Sequence, residues 1–123
     1  MIKEINEEFW NLCERLVKES RFILEHKGGT SHPRHSSFIY PVDYGYLKNT
    51  QSTDNDEIDV WKGSSSLYEI NGCIVTVDIL KRDMEIKLLL GCSPEEIEDI
   101  YRIHNYTSQQ KGIIIFRNQF ENL

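Results

Sequence analysis

The run CIVTVDILKRDMEIKLLLG, residues 73–91, constrains the fold more than any other stretch. It holds two segments rich in branched apolar residues, 73–82 and 85–91, meeting at Asp83 and Met84. Side chains branched at Cβ fit a pleated surface better than a helix. The pattern predicts two strands, paired as a hairpin around Asp83 and Met84. Ser93-Pro94-Glu95-Glu96 follows directly. Ser93 suits a helix cap, Pro94 the first helical position, and Glu96 the returning half of a capping box. A helix is expected from there to about His104.

The rest of the chain reads around this pair. Ile2, Ile5, Phe9, Leu12, Cys13, Leu16 and Val17 recur at three- and four-residue spacing, which predicts an amphipathic helix over 2–19, with Trp10 in its core. RFILEH (21–26) is a short apolar strand candidate, and KGGTSHP (27–33) is a loop of turn formers. SSFIY (36–40) predicts a short strand stopped by Pro41. From Tyr44 to Asp56 no period is visible, so this stretch reads as a functional loop. EIDVW (57–61) and KGIIIFRN (111–118) complete the strands, and GSSS (63–66) breaks between them. No repeat or linker divides the 123 residues, so a single domain, 1–123, is expected. Its class is α+β, mainly β: a small antiparallel barrel or curled sheet, with an N-terminal helix and a helix near the C-terminus.

Composition removes several classes of function. The net charge is −6 and no cluster of cations is present, which argues against a nucleic-acid partner. An acidic chain can still hold a small phosphate compound if metal ions supply the positive charge. No stretch approaches the ~20 apolar residues of a membrane span, and the N-terminus lacks a signal-peptide core. Cys13, Cys73 and Cys92 are widely spaced and odd in number, as befits reduced thiols. A soluble cytoplasmic protein is expected. Neither GxxxxGK[ST] nor GxSxG occurs. His32 and His35 flank Pro33-Arg34 without a nearby cysteine and read as solvent-facing rather than as a zinc pair. They could touch a substrate phosphate beside Arg34. His26 and His104 show no partner in sequence, and Trp61 reads as packing.

The chemistry concentrates at residues 54–59, where Asp54, Asp56, Glu57 and Asp59 crowd together ahead of an apolar strand. Hard cations such as Mg²⁺ need oxygen ligands, and carboxylates supply them with charge. Asp54 and Asp59 can aim at one point from a turn and a strand start, with Asp56 placed to take a proton from water. A calcium EF-hand loop starting at Asp54 would need Gly at 59 and Glu at 65; the chain has Asp59 and Ser65. On residue types alone, the cluster is either a solvated turn or a cation cage.

Its context is more specific. Tyr40-Pro41-Val42-Asp43-Tyr44-Gly45-Tyr46, followed by Asp54-Asn55-Asp56-Glu57-Ile58-Asp59-Val60, resembles the soluble inorganic pyrophosphatase family. That family carries a Tyr-Pro-x-x-Tyr-Gly-Tyr segment ahead of a D-x-D-[PE]-φ-D-φ signature, with φ apolar. The resemblance implies a closed barrel of the oligonucleotide-binding type with flanking helices. It implies Mg²⁺-dependent hydrolysis of inorganic pyrophosphate to two phosphates by metal-activated water, with Mn²⁺ as a substitute. Asp54 and Asp59 would be metal ligands, with Asp83 and Glu85 adding to them. Asp56 and Tyr44 would be catalytic. Arg34, Tyr40, Lys87 and Tyr106 would bind substrate. Relatives often assemble, so a homo-oligomer is a further expectation, with pyrophosphate or another small phosphoanhydride as the partner. The chain departs from the family pattern at Ile23, where a carboxylate is usual, and at Thr107, where a lysine is usual. Glu25 lies two residues from Ile23 and shares its strand face. Two alternatives follow from these departures: hydrolysis of another diphosphate, or a non-catalytic homologue that binds metal and phosphate.

Overall fold

Leu88, Leu89 and Leu90 are all buried, yet they do not share a core. In the computed structural model, which describes residues 7–117, Leu88 and Leu90 pack with Trp10, Val17 and Leu47. Leu89 packs instead with Tyr40, Trp61, Ile97 and Ile100. Val60 and Trp61 divide in the same way, as do Cys73 and Ile74. Successive side chains leave a strand on opposite faces, so the central strands are covered on both sides. This explains a continuous leucine run where a half-exposed strand would alternate.

The elements are α1 (Glu7–Lys18), β1 (Arg21–His26), β2 (Asp43–Lys48), β3 (Ile58–Lys62), β4 (Ile70–Asp78), β5 (Asp83–Leu90), α2 (Pro94–Ile103) and β6 (Gln110–Phe116). They give the expected mixed α+β class, mainly β. The six strands form one sheet in the order β1-β2-β3-β5-β4-β6. α1 covers one face through Trp10 and Val17, and α2 covers the other through Ile97 and Ile100. Ile2, Ile5 and Asn118, assigned from sequence to the first helix and last strand, lie outside the described residues.

The expected closed barrel is not formed. Among the described strands the ladder runs from β1 to β6 without pairing between those two edges. A barrel has one apolar interior and a solvated outside, whereas this sheet has a core on each face. The antiparallel expectation also needs correction, because β3 and β5 pair in parallel. SSFIY contributes a single bridge, Ser31 to Ile39, not a strand. The supposed loop from Tyr44 is β2 as far as Lys48. Its period was hidden because Tyr44 and Tyr46 face a polar cleft while Gly45 and Leu47 face α1. The β4–β5 turn is 79–82, with Arg82 at φ 59°, rather than Asp83-Met84; Asp83 and Asp78 are the last ladder pair. The Asp78 carboxylate accepts the Leu80 and Lys81 amides and so sets that turn.

Both helices carry complementary charge at their ends. Glu7 and Glu8 open α1, while Arg15 and Lys18 close it. Its inner row is Trp10, Cys13 and Val17, so Phe9 and Leu12 of the expected apolar face are exposed. α2 begins as its sequence predicts: Ser93 accepts the Glu96 amide, and Glu96 accepts the Ser93 amide at 2.8 Å. His104 caps its end. Among the described residues no helix is long and apolar enough to cross a membrane. Cys73 and Cys92 are buried, unpaired thiols, and burial pushes them up to about 11 and about 12.

Candidate functional site

Strand register assembles the site. Tyr46 of β2, Asp59 of β3 and Lys87 of β5 lie side by side in one row across the sheet. Tyr44, Trp61 and Leu89 form the next row on the same face. Glu85 and Asp83 precede Lys87 at two-residue steps and share that face. The first strand joins through His26, which pairs with Tyr44 across a bulge.

Lys87 is the hub of this face. It is only 7% exposed. Its ammonium donates to Tyr44 Oη at 2.7 Å, Glu85 Oε2 at 2.8 Å and Asp59 Oδ2 at 3.1 Å, which uses all three N–H donors. Burial alone would lower its pKa, but Tyr44, Asp59 and Glu85 together outweigh burial and hold it above the usual lysine range. Burial likewise raises the Tyr44 phenol well above its ordinary value; Lys87 opposes that shift and Asp59 reinforces it. At neutral pH the group is therefore an ammonium, a neutral phenol and two carboxylates. Trp61 supports it from beneath, its ring 4.6 Å from that of Tyr44. The Trp61 indole donates to His104 Nε2 at 3.2 Å, and His104 Nδ1 meets Gln110 Oε1 at 3.0 Å. His104, without a partner in sequence, thus has two.

The acidic segment forms the opposite wall. Thr50 ties it down: its hydroxyl donates to Leu47 O at 2.6 Å and accepts the Ile58 amide at 3.0 Å. Asn49 and Asn55 take positive φ of 64° and 67°, a conformation that asparagine tolerates well. The Asp56 amide donates to Asp54 Oδ1 at 3.1 Å, and the Asp56 carbonyl accepts from Ser52 at 2.7 Å. The resulting cleft, about 480 Å³, is lined by Glu25, His26, Tyr44, Tyr46, Asp54, Asp56, Glu57, Asp59 and Glu85.

Of the residues named from sequence, Tyr44, Asp54, Asp56, Asp59 and Glu85 line this cleft, and Lys87 lies beneath it. Tyr40 is buried against His26, ring on ring at 4.5 Å. Asp83 is further along the β5 face, at the hairpin end. Arg34 is exposed and outside the lining. Tyr106 is 75% exposed and lies with Phe38, Ile39 and Arg102 at a different groove. Glu25, His26 and Tyr46 reach the cleft through the β1–β2 register, which no local pattern announces. Among the described residues no three His, Cys, Asp or Glu side chains converge as a ready-made metal cage.

The comparison with known families gives this geometry its context. The inorganic pyrophosphatase family model matches residues 14–81, more than half of the chain. The chain belongs to the inorganic pyrophosphatase family. The match contains both the Tyr40–Tyr46 and Asp54–Asp59 segments; Asp83, Glu85, Lys87 and Tyr106 lie beyond it. Among curated proteins none matches the sequence. In this pyrophosphatase-family chain the two matched segments supply β2, the acidic loop and the start of β3, while β5 brings Lys87 and Glu85 alongside them.

Proposed function

We propose that this chain hydrolyses inorganic pyrophosphate to two phosphates in the acidic cleft, as a cytoplasmic enzyme using Mg²⁺, with Mn²⁺ as a substitute. The observation that carries the reading is the Asp59–Lys87–Tyr44–Glu85 group, facing Asp54 and Asp56 across one polar cleft. The donor set fits Mg²⁺: every carboxylate offers hard oxygen, and Mg²⁺ keeps several waters and takes only one or two carboxylates besides substrate phosphates. A cage of three convergent side chains is therefore not required.

Asp54 and Asp59 would hold the metal, with Glu85 and Asp83 adjoining on β5. When bound, Mg²⁺ supplies charge neutralisation for the phosphates and acidifies a coordinated water. Asp56, exposed on the loop and free of cationic partners among the described residues, is the base that takes a proton from the attacking water. Lys87 and Tyr44 donate to a phosphate oxygen; for Lys87 this means exchanging one of its three present acceptors.

Phosphate release from pyrophosphate tests the reading. Release should need Mg²⁺, stop on chelation and return on metal addition. Turnover after exhaustive chelation, or none at any Mg²⁺ concentration, would overturn it. The positions of Tyr106 and Arg34, away from the cleft, favour a second reading in which another diphosphate or phosphoanhydride is the better substrate. Faster release from a sugar diphosphate or nucleoside triphosphate than from pyrophosphate would establish that alternative.

A further inference from the structure

One wall of the cleft is not built of acids. His26 lines it at the end of β1. Its ring stacks on Tyr40 within 5° of parallel. His32 lies beside both, 6.3 Å from the His26 centroid and 6.2 Å from that of Tyr40, within 16° of parallel. His35 packs on His32 at 5.0 Å. The Arg34 backbone N–H donates to His32 Nδ1 at 3.0 Å. That bond assigns the neutral tautomer: Nδ1 accepts, so Nε2 carries the proton and is the free donor.

The charges around His32 reveal a fourth basic neighbour. Desolvation lowers its pKa first, and then the charges of His35, His26, Arg34 and Lys81 lower it further. Lys81 belongs to the β4–β5 turn, which therefore reaches the same ring from a distant part of the chain. Glu25 also faces the cleft from β1, so the wall is not purely basic. Even so, three imidazoles, a guanidinium and an ammonium gather beside a carboxylate-rich cleft in a chain of net charge −6. Left alone, like charges repel; a shared anionic ligand relieves the repulsion.

We propose that His26, His32 and His35, with Arg34 and Lys81, form the anion-receiving wall of the cleft and take a phosphoryl group that the carboxylates opposite would repel. The identity of that group as half of pyrophosphate rests on the function proposed above; its class, a phosphate oxyanion, does not. His32 offers Nε2–H, while Lys81 and Arg34 supply full positive charge without titration near neutral pH. The histidines that the sequence left as solvent-facing thereby supply donors on the side where Arg34 alone was expected.

Calorimetric titration with inorganic orthophosphate tests this, run on the wild type, His32→Ala, Lys81→Ala and the double variant, each with a parallel Mg²⁺ titration. Lys81 sits on an exposed turn, so its truncation spares the fold. Each single change should weaken phosphate binding roughly ten-fold, as loss of one charged or charge-assisted hydrogen bond implies, and the double change should weaken it further. Mg²⁺ affinity should stay unchanged. Undetectable phosphate binding by the wild type, or unchanged affinity in the double variant, would overturn the wall. If phosphate binding behaves as expected but pyrophosphate is never cleaved, the hydrolase reading fails and the wall stands. If pyrophosphate is cleaved but phosphate affinity ignores both substitutions, only the wall fails.

Discussion

Asp59 and Lys87 stand directly opposite each other on the parallel strands β3 and β5, with the ammonium 3.1 Å from the carboxylate. Glu85 approaches the same nitrogen more closely, at 2.8 Å, from the preceding position on the Lys87 face. The crossover through β4 is what brings residues from the acidic motif and from the later strand into one ion group.

Lys87→Met keeps the bulk of the side chain and removes its charge. Asp59, Glu85 and the Tyr44 hydroxyl would each lose a donor at the base of the cleft. Solvent takes part of the load, because the Asp59 and Glu85 side chains remain 31% and 27% exposed. The expected cost is about 2–3 kcal/mol, near the range for lost hydrogen bonds to charged groups and below that for a fully buried pair. Denaturant unfolding measures it, and a variant as stable as the wild type would show that the three contacts contribute nothing net.

Asp56→Asn and Asp59→Asn should separate proton transfer from metal binding. Asp56 is exposed on its loop, so its replacement should change stability by no more than about 0.5 kcal/mol. Loss of a positioned base should slow pyrophosphate cleavage by about 10²–10⁴-fold. Mg²⁺ titration should then show near-normal affinity in Asp56→Asn and clear weakening in Asp59→Asn. The reverse order of metal affinities would exchange the roles of the two residues.

Gly45 tests the β1–β2 contact that carries His26 and Glu25 to the cleft. A Cβ there would come 1.9 Å from the Ile23 carbonyl oxygen, a backbone atom that cannot swing aside. Gly45→Ala should therefore push β1 from β2 and cost more than the ~1 kcal/mol usual for a point change. Hydrogen exchange should show β1 amides losing protection ahead of β5. Uniform protection in the variant would contradict this.

Much of the fold was legible where local chemistry decides it. The capping box of α2 and the Asp83–Glu85–Lys87 face of β5 follow from spacing alone, and both are formed. The Tyr40–Tyr46 and Asp54–Asp59 segments led to the family that the match over 14–81 bears out. Hidden from sequence was whatever depends on who pairs with whom. β2 shows no apolar alternation because Tyr44 and Tyr46 meet a cleft instead of a core. The helical stripe of Phe9 and Leu12 looked like an inner face, but Trp10 one residue away outbids it with a larger ring for the space against β4. The parallel β3–β5 pairing and the His26 bulge are register facts, and no window of sequence contains a register.

His104 gives the pH dependence. Burial lowers its pKa below the usual 6.5, with Lys87 adding to the effect and Gln110 and Glu85 opposing it. In the fold the ring is neutral, because Nε2 accepts the Trp61 indole proton. The unfolded chain therefore binds this proton more readily than the folded one. Its contribution is fully present above about pH 6.5 and is lost as pH falls through the lowered folded value. Carboxylates also titrate in acid, so the wild type must be compared with His104→Gln, which cannot take up the proton. Between about pH 7 and pH 5 the stability advantage of the wild type over His104→Gln should shrink, with a parallel change in Trp61 fluorescence. A constant difference across that range would mean that His104 stays unprotonated in both states, and that the Trp61–His104 bond is not an acid-labile support for Tyr44.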